Sequence, residues 1–121
     1  MKRYQVVHSH FSNYPDPIVL AKGDTVLYGR EDTKFPNWIF CEDVHSQKHG
    51  WVPKQILSSP DENQISTVLT DYSAYELTVN PGMIVEQEYE LNEWSLVHTT
   101  DGEKGWIPNK VLMLVDYPKP K

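Results

Sequence analysis

The sequence predicts an all-β chain made of two tandem small antiparallel barrels, and three observations lead there. First, a unit of about fifty-five residues occurs twice. Gly50-Trp51-Val52-Pro53-Lys54-Gln55-Ile56-Leu57 closes one copy, and Gly105-Trp106-Ile107-Pro108-Asn109-Lys110-Val111-Leu112 closes the other. Each copy also has an earlier lone tryptophan (Trp38, Trp94) and, before it, a glycine behind a short apolar run (Gly23, Gly82). Repetition on this scale means that each copy must bury its own apolar face. Second, short runs rich in Val, Ile, Leu and aromatics are punctuated by Gly, Pro, Asn and Asp, the signature of strands and turns. Third, no segment holds a helical period over three turns, and nine prolines spread along the chain oppose long helices.

Taken in order, the strands are expected over 4–8, 25–30, 38–42 and 50–53 in the first copy. The second copy is expected to have 65–70, 83–90, 94–99 and 105–108. Thr100-Asp101-Gly102-Glu103 reads as a tight hairpin, with Gly102 free to take positive φ. The longer connection 44–49 is its counterpart. Residues 59–64 read as a short polar linker, so 1–58 and 65–115 are the expected domains. Residues 116–121 form a proline- and lysine-rich tail with polyproline-like character. Sheets of such short strands must curl into barrels to bury one face without long open edges.

The chain has 121 residues and a net charge of −6. No apolar run approaches the roughly twenty residues that span a bilayer. Cys41 is the sole cysteine, so no internal disulfide forms and a cytoplasmic setting is expected. Residues 1–57 carry seven Lys/Arg against six Asp/Glu, whereas 65–115 carry two against eight. That balance disfavours nucleic acid and anionic membranes and favours basic partners. No phosphate loop, HExxH or G-x-S-x-G occurs, and no catalytic activity or cofactor is expected.

With these residues in view, the pattern resembles the Src homology 3 (SH3) family, twice over. The first copy offers Val6-Val7-His8-Ser9-His10, Gly23-Asp24, Trp38 and Gly50-Trp51-Val52-Pro53. The second offers Val68-Leu69-Thr70-Asp71-Tyr72, Glu76-Leu77, Gly82, Trp94 and Gly105-Trp106-Ile107-Pro108. The resemblance implies one core of Val6, Ile18, Leu20, Val26, Tyr28, Cys41, Val52 and Leu57. It implies a second of Val68, Leu77, Val79, Val85, Val97, Ile107 and Leu112. Cys41 is then a small buried hydrophobe, equivalent to Val97.

The resemblance also implies an aromatic shelf that receives a polyproline-type peptide. In the first copy its residues are His8, His10, Trp38, Trp51 and Pro53. In the second they are Tyr72, Trp94, Trp106 and Pro108, with Glu76, Glu90 and Glu93 as an acidic rim for a peptide cation. Trp38 and Trp94 are expected to be exposed. Pro17 stands where the second copy has Glu76, and Ile56 and Val111 replace the tyrosine that follows the Pro. His8 and His10 share a strand face, while Cys41, His45 and His49 are too scattered for a zinc site.

The expected function is therefore a non-enzymatic module for a protein or peptide, proline-rich or basic, with self-association through the tail as a further expectation. The alternatives are a cell-wall module for peptidoglycan peptides and a structural accessory protein with vestigial grooves.

Overall fold

The computed structural model describes residues 1–12 and 16–115. Eleven strands are present among them: β1 (Lys2–Val6), β2 (Val19–Leu20), β3 (Thr25–Glu31), β4 (Trp38–Asp43), β5 (His49–Pro53) and β6 (Ile65–Thr67), then β7 (Tyr72–Ser73), β8 (Ile84–Leu91), β9 (Trp94–Thr99), β10 (Lys104–Pro108) and β11 (Leu112–Leu114). Single 3-10 turns, Lys54–Ile56 and Asn109–Val111, follow the two Gly-Trp strands. The fold is all-β, as the punctuation of the sequence requires. The tail over 116–121 lies outside the described residues, and so does any self-association through it.

The chain divides into two compact units that differ from the expected 1–58 and 65–115. The first unit is Met1–Tyr14 with Glu76–Lys121, and the second is Pro15–Tyr75. In the first unit a five-stranded sheet runs β10-β9-β8-β1-β11, so β1 lies between two strands of the other sequence copy. Tyr4 stands opposite Val85 on one side and Leu114 on the other. In the second unit the sheet runs β5-β4-β3-β6, and β2 pairs with β7. There Val26 stands opposite Ser66, and Leu20 opposite Tyr72. The two opening strands have thus changed places. The second unit is a continuous stretch of chain inserted into the first.

The expected linker at 59–64 is a turn within the second unit, which brings the second copy's opening strand back onto the first copy's body. Asp61 accepts the backbone N–H groups of Asn63 (2.8 Å) and Ile65 (3.0 Å) on one carboxylate oxygen. Its own N–H donates to the Ile65 carbonyl, and Gln64 takes a left-handed φ of 63°. An Asp side chain that bonds the backbone ahead of it stabilises such a turn locally. The chain therefore doubles back at once. Ser58 N–H reaches the Thr67 carbonyl at 2.9 Å, Leu69 N–H reaches the Ile56 carbonyl at 2.8 Å, and Leu57 bridges to Val68. Pairing across about ten residues closes a far smaller loop than pairing the ends of a whole copy, so it costs less entropy.

The cores follow the exchange. Val6 packs with Leu77, Val79, Val85, Val97, Ile107 and Val111, all at most 3% exposed. Val68 is buried in the second unit, beside the bridge to Leu57. Val6 and Val68 are thus core residues, as expected, but each serves the opposite body. Val111 is buried as well and forms no part of an open shelf. Tyr28 and Leu112, expected in the cores, are only half-buried. Cys41 and Val97 are both fully buried and stand opposite Gly50 and Gly105.

Two glycines are fixed by contact. A Cβ on Gly29 would come within 2.1 Å of the Phe40 carbonyl oxygen, at the irregularity where β3 slips against β4. One on Gly50 would come within 2.5 Å of the fully buried Ile18 side chain. Burial pushes the Cys41 thiol up to about 12 from 9.0, partly offset by a hydrogen bond with the Gly29 backbone.

Residues 15–75 expressed alone should fold cooperatively, as judged by a sigmoidal thermal melt in circular dichroism. Cys41 should resist a thiol reagent at pH 8 until the chain is unfolded. Because its folded value lies above the unfolded one, its contribution holds below about pH 9 and is lost as pH climbs toward 12. A rapid reaction in native buffer, or stability that rises across that window, would contradict the burial.

Candidate functional site

The exchange assembles a site in the first unit from both sequence copies. The strand bridge His10 with Val79, closed by backbone bonds of 3.0 and 2.8 Å, carries His10 alongside the second copy. Its Nε2 meets Glu76 Oε1 at 2.9 Å, with both side chains only 12–13% exposed. The His10 ring sits edge-on to Trp94, centroids 5.5 Å apart at 83°. Glu76 is placed by a parallel bridge to Trp106, and Leu77 N–H donates to the Trp106 carbonyl. Ser12 N–H donates to Thr78 Oγ1, which ties down the far end of the opening segment.

Behind Trp94 runs a polar chain. Gln87 Nε2 donates to Ser95 Oγ at 2.9 Å, Ser95 Oγ bonds Asn109 Oδ1, and Asn109 Nδ2 donates to Glu90 Oε2 at 2.8 Å. Ser95 is fully buried, so this chain satisfies a polar group that burial would otherwise penalise. Tyr89 lies edge-on to Trp106 at 5.6 Å. Burial raises its phenol above the ordinary value, with Lys104 opposing and Glu88 reinforcing the shift.

The residues around Trp94 form a half-buried corner. Trp94 and His10 are partly exposed, Glu93 is exposed, and Trp106 and Pro108 are buried. Glu93 itself takes φ 71°, and its carbonyl accepts the Asn109 N–H at 3.0 Å. The other copy repeats this device with Asn37, at φ 71°, whose carbonyl accepts the Lys54 N–H at 2.8 Å. Left-handed backbone before each tryptophan therefore sets the strand start in both copies.

The second unit presents a different arrangement. Trp38 is 5% exposed and Tyr72 8%, and Pro53 is fully buried. The expected exposure of Trp38 is not found: it opens β4 opposite Pro53 and is packed as core. Tyr72 was expected beside Trp94 and Glu76. It instead donates its hydroxyl to the Trp51 carbonyl at 2.8 Å, because its strand docks in the second unit. His10, expected beside Trp38 and Trp51, faces Trp94 for the same reason. β1 ends at Val6, so the expected shared strand face of His8 and His10 is not formed: His8 is exposed beyond the strand, and His10 lies in a separate bridge.

On the outer side of the β3-β4-β5 sheet, Arg30 lies 4.9 Å over Phe40 and 5.2 Å over Trp51. His49 stacks on Phe40 and pairs with Glu42 at 2.8 Å. Among the described residues, no group of three His, Cys, Asp or Glu is placed to hold a metal. The Arg30 stack and the His10–Glu76 pair were missed in the sequence. Alternation along β3, β4 and β5 could have suggested the first, but nothing local pointed to the second.

Charge also follows the exchange. In the described first unit four Lys/Arg face seven Asp/Glu, and in the second five face nine. The imbalance between sequence copies thus becomes an even acidity in the folded units.

The antiparallel sheets, and the Gly-Trp strand that runs through a proline into a single 3-10 turn in each copy, define an all-β, SH3-like fold. Residues 3–59 match the variant SH3 domain family model. SH3-type domains are in general protein-interaction modules, and that coarse function applies here. No curated protein and no solved structure matches the chain. The matched stretch is itself divided in the structure, since its first strand belongs to one unit and its remainder to the other.

Glutamate is poorly suited to left-handed backbone, and asparagine accepts it more readily. Glu93→Asn should therefore stabilise the chain by up to about 1 kcal/mol, read as a raised denaturant midpoint. Unchanged or lower stability would mean that the Glu93 side chain contributes as much as its backbone costs.

Proposed function

We propose that the chain binds an extended protein or peptide segment at the Trp94 corner of its first unit, without catalysis. The observation that carries this reading is the half-buried Trp94 indole, set edge-on to a His10 ring that meets the Glu76 carboxylate, with exposed Glu93 preceding it in the chain. A flat ring held rigidly offers apolar area at low entropic cost, which is what an extended peptide with proline faces requires. The acidic border supports a peptide that also carries Lys or Arg. The even negative charge of both units supports the exclusion of nucleic acid and anionic membrane surfaces.

The second unit supports a structural role instead. Its tryptophan, proline and tyrosine equivalents (Trp38, Pro53, Tyr72) are buried, so the same shelf is filled there by the protein itself. Trp51 remains half-buried, but the Arg30 guanidinium lies over its ring. The accessory-protein reading thus applies to one unit and the binding reading to the other.

The test is a titration of the chain with a synthetic library of proline-rich peptides containing Lys or Arg, followed by tryptophan fluorescence. Trp94→Ala should keep the native circular dichroism spectrum and weaken the best peptide by about 2 kcal/mol, near thirtyfold. Trp38→Ala should instead lower stability. Equal affinity in a folded Trp94→Ala chain, or loss of binding only when Trp51 is replaced, would sink the assignment to this corner.

A further inference from the structure

We propose that the His10–Glu76 hydrogen bond helps decide which opening strand each body accepts, holding the chain in its exchanged arrangement against a consecutive one. The backbone bonds that seat the two opening strands are equivalent. Val6 N–H reaches the Met83 carbonyl and Gly82 N–H the Val6 carbonyl, both at 2.8 Å. Val68 N–H reaches the Asp24 carbonyl and Gly23 N–H the Val68 carbonyl, also both at 2.8 Å. Val7 N–H meets the Val111 carbonyl at 2.7 Å where Leu69 N–H meets that of Ile56 at 2.8 Å. The side chain at the centre of each docking site is a fully buried valine, Val6 or Val68. Neither the ladder nor the core distinguishes one strand from the other.

The strand ends do distinguish them. His10 stands opposite Val79, and Tyr72 opposite Leu20, so His10 and Tyr72 occupy equivalent places. Three residues before Val79 is Glu76, and three residues before Leu20 is Pro17. The exchange brings His10 to the carboxylate and leaves Tyr72 to bond the Trp51 carbonyl. Returning each strand to its own copy would set His10 against Pro17, which offers no acceptor side chain. It would also take Tyr72 away from Trp51. A charge-assisted bond at 12–13% exposure is worth more than a neutral one, and it forms only in the exchanged arrangement.

Paired cysteines report the arrangement in the full chain, with Cys41→Ala as background. Arg3 is the strand partner of Glu86 in the structure, so Arg3→Cys with Glu86→Cys should cross-link within one molecule on mild oxidation. Ile65 holds the equivalent place opposite Leu27, so Arg3→Cys with Leu27→Cys reports the consecutive arrangement and should stay reduced. Moving the acid, by Pro17→Glu with Glu76→Ala, should reverse the two yields. Glu76→Gln alone, which keeps the side-chain size, should shift their ratio about tenfold toward the consecutive form. Efficient 3–27 cross-linking without any change at Glu76 overturns the exchange. An unaltered ratio in folded Glu76→Gln and in the relocated-acid chain overturns selection by the hydrogen bond. Cross-linked species of twice the chain mass would mean that the strand comes from a second copy, which overturns exchange within one molecule.

Discussion

Everything distinctive in this fold depends on one short turn. Asp61 gathers the backbone of Asn63 and Ile65 and sends the chain straight back along Ile56–Ser58. Once that hairpin forms, the body of the first sequence copy has its opening strand, supplied by the second copy. The first copy's own opening strand must then find the remaining vacancy, between β8 and β11. The cheapest local closure thus favours the pairing of sequence-distant strands, which the repeat makes reciprocal.

The same constraint places chemistry. Because β1 enters the first unit, the histidine that ends the opening segment meets the acid and the tryptophan of the other copy. Because β6 and β7 enter the second unit, a tyrosine fills the equivalent place there and bonds inward. One corner is left half-open with a His–Glu pair, and the other is closed with a Tyr–carbonyl bond. Two copies of one pattern therefore end in different surroundings through the exchange of their opening segments.

Much of the fold was legible in the sequence. The spans 25–30, 38–42, 83–90, 94–99 and 105–108 fall on β3, β4, β8, β9 and β10 within a residue, because alternation and turn residues are local signals. The burial of Cys41 and the positive φ of Gly102 follow from equally local chemistry. What was hidden is partnership. Val6-Val7 and Val68-Leu69 carry the same apolar pattern, so nothing in either strand says which body it joins. Asp61-Glu62-Asn63-Gln64 has the composition of a linker, and only its hydrogen bonds reveal a turn. The short β2, β7 and β11 owe their existence to partners brought from far along the chain. The site was half legible for the same reason: Trp94 and Glu76 were in place, but His10 had been grouped with the wrong tryptophan.

The order in which the chain leaves the ribosome adds a further consequence. Residues 18–57 emerge while β1 is the only opening strand available to them, and β6 follows about ten residues later. At roughly 5–20 residues per second, that interval is about half a second to two seconds. That interval is long enough for β1 to sample the first copy before its competitor exists, so the timing of synthesis and the final pairing favour different strands.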